Sequence, residues 1–193
     1  MISHDLSIET SQVLLRPMEE NDFPHFHLLA QDTDAWQYFT LNLADEVQLK
    51  QWMNTAFSDR AANTRLPFTI ISKATGEISG SMSMGNISFH DLRLEIGWSW
   101  LGSSYRGSGI NFHSKYAMLR HAFDVWNFER VEFKTDVLNE RAKQGLRKIG
   151  GQEEGVLRSH MTMWNNRRRD SVYFSILKNE WPQLKHSIFK ELE

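Results

Sequence analysis

No cysteine occurs among the 193 residues of the chain. Its absence excludes disulfide bonds, thiolate nucleophiles, CxxC redox pairs and cysteine-ligated zinc. No pair of the eight histidines has the H-x-x-x-H spacing of a zinc enzyme, so no metal site is expected.

Proline is also scarce, since only four are present and they are scattered along the chain. No proline-rich linker, internal repeat or low-complexity tract divides the sequence. We therefore expect a single domain over residues 1–193, with a C-terminal tail at 179–193.

The chain lacks an excess of one charge, because 22 Lys and Arg face 24 Asp and Glu and the formal net charge is −2. Such a balance does not favour nucleic-acid binding by counterion release, so no nucleic-acid partner is expected. The sequence also lacks an apolar run of transmembrane length and an N-terminal signal pattern. The expectation is a cytoplasmic protein without a membrane partner.

Large apolar side chains are plentiful, with seven Trp and twelve Phe in a chain that is 40% hydrophobic. Their periodicity predicts the order β-α-α-β-β-β-α-β-α-β-β, a mixed α/β domain. One helix should begin after Asp45, and its buried stripe is Leu49, Trp52, Met53, Ala56 and Phe57. Alternation is strongest over residues 92–100 and predicts one apolar strand face, formed by Leu92, Leu94, Ile96, Trp98 and Trp100.

A Gly/Ser loop at residues 103–109 follows that strand and opens a helix that is apolar on most sides. Glycines let backbone N–H groups turn toward one point, and a helix N-terminus adds unpaired N–H groups and a positive dipole end. The loop thus suits an anion such as a pyrophosphate. It is neither a Walker A loop nor a G-x-G-x-x-G dinucleotide motif, and on its glycines alone it could be a plain turn.

The segment Arg106-x-x-Gly109-x-Asn111 resembles the coenzyme A loop of the GNAT superfamily of N-acetyltransferases, written Q/R-x-x-G-x-G/A. Asn111 departs from the last position. Three flanking segments are also similar to the family, at 94–98, 135–142 and 148–151. The resemblance covers about residues 11–178 and is greatest to the ribosomal-protein alanine and serine N-acetyltransferases.

The resemblance implies a single mixed-sheet GNAT-type domain that moves acetyl directly from acetyl-CoA to a primary amine. The acceptor would be a small amine or a protein N-terminus, including that of a ribosomal protein, and a homodimer is possible. The family pattern places the pyrophosphate on the backbone amides of Arg106, Gly107, Ser108, Gly109, Ile110 and Asn111. It places the pantetheine arm along the main chain of Trp98, Ser99 and Trp100, and on Asn139.

Glu95 is the candidate general base, because it lies opposite Leu94 and Ile96 and just before the predicted cofactor segment. An attacking amine has to lose a proton, and a nearby carboxylate can accept it directly or through water. His90 and His160 are rival bases, since histidine titrates near neutral pH.

The family's usual general acids are missing here. Leu146 stands where many relatives have a tyrosine, and Ala142 where the ribosomal-protein branch often has a serine. Water, Tyr173 or Tyr105 could protonate the leaving thiolate instead. The helical phase of Leu146 is also that of a core residue.

The missing acids leave a second function open, an acyl-CoA-binding sensor with the same fold and little turnover. Two further features carry alternatives. The turn at Arg167-Arg168-Arg169 could meet RNA or be a solvated turn. The aromatic connection containing Trp36, Tyr38 and Phe39 could line an acceptor pocket or cover the core.

Overall fold

A computed structural model describes residues 3–192, so residues 1, 2 and 193 of the predicted domain lie outside the described part. Its centre is an eight-stranded sheet with the order β1-β2-β3-β4-β5-β6-β8-β7. Neighbouring strands are antiparallel except β5 and β6, which are parallel. The strands are β1 (Ile8–Glu9), β2 (Val13–Pro17), β3 (Arg65–Ser72), β4 (Ile78–Ser88), β5 (Arg93–Leu101), β6 (Arg130–Asp136), β7 (Gln152–Thr162) and β8 (Arg168–Leu177).

Five α-helices pack on this sheet, and none in the described range is long and apolar enough to cross a membrane. They are α1 (Phe23–Leu29), α2 (Glu46–Ala61), α3 (Ile110–Arg120), α4 (Glu140–Lys148) and α5 (Trp181–Ser187). A π-helical turn at His121–Val125 extends α3. The predicted element order is found with two additions, the short strand β1 and the helix α5.

Local sequence signals account for the helix boundaries. The Asp45 side chain accepts a hydrogen bond from the Gln48 N–H and so caps α2 as predicted. Helix α4 is followed by Gly150 at φ +88°, a left-handed conformation that suits glycine at a helix C-terminus. The predicted tail is instead ordered around α5, because Trp181 and Phe189 are buried in the core.

The two faces of the sheet carry separate cores. Helices α3 and α5 cover one face, where they pack on sheet side chains such as Phe68, Met82 and Ile96. Helices α1 and α2 cover the other, with an aromatic cluster around Trp100. Below we call these the α3 face and the α1–α2 face. Each buries a hydrophobic surface that neither the sheet nor the helices could bury alone.

Strand β5 contains a β-bulge that the sequence did not predict. Trp100 pairs with Ser81, and Gly97 pairs with Ser83, so β5 uses one residue more than β4 over the same distance. Trp98 lies within this insertion at φ +52°, in the left-handed region. Because side chains alternate with period two, one extra residue exchanges the two faces of the strand beyond it.

The expectation of one unbroken apolar face on β5 is therefore wrong. Leu94 and Ile96 belong to the core of the α3 face, whereas Trp100 lies in the aromatic cluster of the α1–α2 face. Trp98 lies over the Arg65 guanidinium, with 4.4 Å from Cζ to the ring centroid. The bulge thus places both tryptophans on the face that also carries Glu95.

Strands β5 and β6 separate beyond their first residues. Parallel pairing joins Arg93 to Arg130, Leu94 to Val131 and Glu95 to Glu132, and it ends there. The rest of β5 keeps its antiparallel pairing with β4 alone. A gap therefore opens in the middle of the sheet just after Glu95, lined by unpaired main chain of β5.

Helix α1 is fixed to the sheet by the buried carboxylate of Asp22. Asp22 Oδ2 accepts hydrogen bonds from Thr69 Oγ1 at 2.6 Å and from the Glu19 N–H at 2.9 Å, and Oδ1 pairs with Arg16 at 2.5 Å. Burial alone would raise the pKa of Asp22, but the hydrogen bonds from Arg16, Thr69 and the Glu19 N–H outweigh it. The pKa is therefore below its ordinary value.

Asp22→Asn is expected to lower the free energy of unfolding at neutral pH by about 2 kcal/mol, since the Arg16 charge loses its partner. A depressed folded-state pKa gives stability that is present above the unfolded pKa of about 4 and is lost as the pH falls. Urea unfolding at pH 7 and at acid pH should therefore show the variant and the parent converging in acid. The exposed Asp91→Asn is the control and should change little; an equal loss in both variants would contradict the assignment.

Candidate active site

A cavity of about 180 Å³ occupies the gap between β5 and β6. Residues from the predicted cofactor strand, the predicted base and α4 meet there, although they are far apart in sequence. The β5 residues Glu95, Gly97, Trp98 and Ser99 line it, with residues 133–135 of β6, two residues of α4 (Ala142 and Leu146) and Asn139, which caps α4. The gap thus connects the α1–α2 face with the α3 face through the sheet.

Glu95 lies on the α1–α2 side of this cavity and is 3% exposed. Its Oε2 accepts hydrogen bonds from Lys134 Nζ at 3.0 Å and from Asn86 Nδ2 at 2.8 Å. Gly97 keeps space beside the carboxylate, since a Cβ at position 97 would lie 2.9 Å from Oε1. The carboxylate is thus held in one orientation at the edge of the cavity.

The two rival histidines have different surroundings. His90 is fully exposed, pairs with Asp91 and does not line the cavity. His160 packs edge-on against Tyr173, with 6.0 Å between ring centroids. Burial, and then the charges of Lys134 and Arg169, lower the pKa of His160 and favour its neutral form. Of the two rivals, only His160 lies near Glu95.

The candidate general acids differ in whether they lie at the cavity. Tyr105 donates its hydroxyl to Glu77 at 2.8 Å, outside the cavity. Tyr173 pairs across the strands with Lys134 on the α1–α2 face. Leu146 is 4% exposed in the core, as its helical phase predicted, and it also lines the cavity together with Ala142. The positions of the family's usual acids are therefore in the cavity, but neither side chain can donate a proton.

Asn139 is the N-cap of α4, and its Oδ1 accepts a hydrogen bond from the Ala142 N–H at 3.0 Å. Asparagine is a favoured residue at this position, and its side chain satisfies one N–H group of the first helical turn. Asn139 also lines the cavity, and its Nδ2 donates no hydrogen bond to any residue in 3–192. This amide group remains able to donate to a ligand.

The glycine-rich loop turns several N–H groups outward. Gly107 and Gly109 have φ values of +77° and +90°, which favour glycine. Within the described range, the N–H groups of Gly107, Ser108, Gly109 and Asn111 have no hydrogen-bond partner. These donors stand at the N-terminus of α3, where the helix dipole also favours an anion.

Arg106 differs from its predicted place in this set. Its backbone N–H already donates to the Ser103 carbonyl, so the free amides begin at Gly107. Its side chain pairs with Asp32 at 2.5 Å and ties the loop to the segment after α1. At the other end of the loop, Ile110 is buried in the core and anchors α3.

Three cationic residues line the cavity although none of them was predicted from the sequence to belong to the site. Lys134 and Arg169 line the α1–α2 side of the cavity. Lys115 of α3 also lines the cavity, from the side of the α3 face. Burial lowers the pKa of Lys115 to about 8. The signal in the sequence was a lysine on a helix that is apolar on most sides. Similarly, the alternation along β6 placed Lys134 on the strand face opposite to that of Phe133.

Residues of the arginine turn and of the aromatic connection make contacts within the domain. Arg167 pairs with Asp136, and Arg169 donates to the Tyr38 carbonyl and lines the cavity. Tyr38 and Phe39 line the cavity too, whereas Trp36 is buried against Trp100. The connection thus serves the pocket and the core at once. Trp100 packs its side chain away from the cavity, so only its main chain remains for the predicted pantetheine contact.

Comparison with known proteins identifies this arrangement. A family model for the acetyltransferase (GNAT) domain matches residues 12–152, which contain the split strands, the glycine-rich loop and α4. The chain belongs to the GNAT acetyltransferase family. The resemblance drawn from the loop is confirmed, the mixed sheet is the GNAT fold, and acetyl-CoA is the acetyl donor of this N-acetyltransferase.

Two of the similar curated proteins have names that indicate an acceptor, and these acceptors differ. "Putative ribosomal N-acetyltransferase YdaF" of Bacillus subtilis is 31% identical over 106 residues, which are 55% of this chain and 57% of that relative. The uncharacterised N-acetyltransferase p20 of Bacillus licheniformis is 27% identical over 91% of this chain and 98% of its own. Spermidine N(1)-acetyltransferase of Escherichia coli is 23% identical over 88% of each chain.

Solved structures support the fold over most of the chain. A GCN5-related N-acetyltransferase from Brucella melitensis superposes with a TM-score of 0.85 at 25% identity, covering 96% of this chain and 85% of that one. Mycobacterium smegmatis RimJ in complex with CoA-disulfide gives a TM-score of 0.82 at 21% identity, covering 97% and 95%.

Proposed function

We propose that this GNAT protein acetylates the α-amino group of a peptide or protein N-terminus. The observation that carries the proposal is the chemistry of the cavity wall beside Glu95. Lys134 and Arg169 line this wall and present hydrogen-bond donors and positive charge. An acceptor that fits it presents an amine together with hydrogen-bond acceptors, as a peptide N-terminus does with its carbonyl groups.

A polyamine fits this wall poorly. At neutral pH spermidine carries several positive charges and no carbonyl or carboxylate, so it would face Lys134 and Arg169 with like charge. Arg169 is 7% exposed, and its Nε has no hydrogen-bond partner in residues 3–192. A buried donor without a partner is costly, and a peptide carbonyl would satisfy it. A ribosomal-protein N-terminus is one acceptor of this class, in line with the name of the Bacillus subtilis relative.

The reaction assigned to the cavity is a direct transfer. No cysteine exists to form a Cys-acyl intermediate. Glu95 would accept the proton of the attacking amine, and the main chain at the Trp98 bulge would donate to the thioester oxygen. The free N–H groups at Gly107–Gly109 and Asn111 would hold the pyrophosphate, and Asn139 Nδ2 the pantetheine arm. Positioning of both substrates in one gap supplies much of the rate.

Release of free CoA thiol from acetyl-CoA tests this function. Short peptides that begin with alanine or serine are expected to give at least about tenfold higher kcat/KM than spermidine, which corresponds to about 1.4 kcal/mol. The same peptides with a blocked α-amino group are the control and should give no release. Arg169→Gln should raise KM for the peptide and leave acetyl-CoA binding intact.

Two results would contradict the proposal. Preference for spermidine over the peptides would assign a polyamine acceptor. Binding of acetyl-CoA with no thiol release for any amine would favour the acyl-CoA sensor instead. The possible homodimer stays a prediction that sedimentation can test.

A further inference from the structure

Lys115 is a buried cation without an anion. It is 8% exposed, and within residues 3–192 its Nζ has neither an ion-pair partner nor a hydrogen-bond partner. Its neighbours on α3 include the buried apolar residues Ala117, Met118 and Leu119. A buried charge is unfavourable unless a partner compensates it. Since Lys115 lines the cavity, the missing partner is expected to be a group that enters the cavity.

Lys115 and Glu95 reach the cavity from opposite faces of the sheet. Helix α3, which carries Lys115, packs on the face of Leu94 and Ile96, and the Glu95 side chain lies on the other face. Leu146 of α4, which also lines the cavity, belongs to the same core as α3. A reaction centre in the gap would therefore have a carboxylate on one side and an ammonium on the other.

We propose that Lys115 is the general acid of the acetyl transfer and protonates the CoA sulfur as the thiolate leaves. The inference rests on the proposed function, because it assigns an acid to that reaction. Lys115 would take the role that neither Leu146 nor Ala142 can fill. Lys115 is carried by α3, and the glycine-rich loop that is expected to hold the donor's pyrophosphate forms the start of the same helix. Lys115 is therefore on the side of the sheet from which the donor is expected to bind.

The proton balance closes with these two residues. The amine nitrogen forms the new C–N bond and loses its proton to the Glu95 carboxylate. The C–S bond breaks, and the sulfur keeps the electron pair and takes a proton from Lys115 Nζ. Glu95 then releases its proton to solvent and Lys115 regains one, so that both residues return to their starting state.

The environment of Lys115 suits it to this transfer. Burial lowers its pKa to about 8, near the ordinary thiol value of about 8.5 and well below the ordinary lysine value of about 10.4. Proton transfer between groups of similar pKa is close to balanced, which favours acid catalysis. The other charged groups that line the cavity, Glu95, Lys134 and Arg169, come from β5, β6 and β8.

Binding of free CoA tests the placement without turnover. A cation beside the sulfur stabilises the thiolate, so the ultraviolet thiolate absorbance of bound CoA at neutral pH, where Lys115 is charged, should exceed that of free CoA. Lys115→Met keeps the aliphatic stem, removes the buried charge and should abolish this excess. Lys134→Met is the matched control, since it removes a lysine from the opposite side of the same cavity, and it should retain the excess.

Turnover separates proton donation from charge stabilisation. Lys115→Met should reduce kcat at least about 10²-fold while CoA still binds. Lys115→Arg keeps the positive charge but cannot release a proton, so it should restore the thiolate signal without restoring kcat. With an aryl thioester as the acetyl donor, the leaving thiolate needs no proton. The ratio of kcat between the parent and Lys115→Met should therefore be smaller than with acetyl-CoA.

Three results would overturn the proposal. The first is parental kcat in Lys115→Met, and the second is a thiolate signal that does not depend on residue 115. The third is an acetyl group on Lys115 itself, found by mass spectrometry of the peptide, which would make the residue a nucleophile. A parent protein that acetylates no amine would overturn the proposed function instead, because the thiolate comparison does not require turnover.

Discussion

Glu95→Gln is expected to reduce kcat by about 10²- to 10⁴-fold, the usual contribution of a general base. Glutamine has nearly the same shape, and its carbonyl oxygen can still accept hydrogen bonds from Lys134 and Asn86. Affinity for acetyl-CoA should therefore stay within about threefold of the parent, which calorimetry can check, since a base contributes to the transition state and not to donor binding.

Glu132→Gln is the matched control for this variant. Glu132 stands directly across from Glu95 in the parallel pair of β5 and β6, and Arg130 Nε donates to it at 2.8 Å. It does not line the cavity, so its variant should turn over like the parent. If Glu95→Gln kept parental turnover at every pH tested, the base would be His160 or water, and the role proposed for Glu95 would be wrong.

Gly109→Val is expected to abolish the rise in melting temperature that acetyl-CoA gives the parent. At a ligand concentration about 100 times Kd, that rise corresponds to about 2.7 kcal/mol. A valine at φ +90° strains the backbone, and its branched side chain stands among the free N–H groups that are expected to hold the pyrophosphate. Differential scanning calorimetry with and without acetyl-CoA measures both effects.

Gly76→Val separates backbone strain from loss of the site. Gly76 has φ +74° in the turn between β3 and β4, and an added Cβ there meets nothing within 4 Å. At Gly109 the nearest atom to such a Cβ is Gln12 Oε1 at 3.4 Å, which is ordinary contact. Both variants should lose about 1–3 kcal/mol from strain, but Gly76→Val should keep the acetyl-CoA effect. A retained effect in Gly109→Val would place the pyrophosphate elsewhere.

The features that depend on near neighbours in sequence were predictable. Helix α2 follows its Asp45 cap and its stripe of buried side chains, because both act within one or two turns of helix. The loop that opens α3 needs left-handed φ values at Gly107 and Gly109, and only glycine adopts these without strain. The family could therefore be identified from a short segment, since the glycines of the loop and the start of α3 are adjacent in sequence.

The bulge at Trp98 was decided by tertiary structure. Taken alone, residues 92–100 alternate without a break, and nothing in that pattern marks an extra residue. The insertion exists only relative to the partner strand β4, where Ser81 and Ser83 fix the register. Sequence reasoning therefore put Trp98 and Trp100 on the wrong face, whereas Glu95, which precedes the bulge, was placed correctly.

The sequence by itself determined the fold family, the candidate loop for the donor, the candidate carboxylate and the absence of a cysteine nucleophile. Tertiary structure decided which cations meet that carboxylate. Lys115, Lys134 and Arg169 come from a helix and two strands, and they share a cavity only because β5 and β6 separate after Glu95. Composition and periodicity report whether a side chain is buried, but not which distant side chains share its space, because that depends on how the elements pack together.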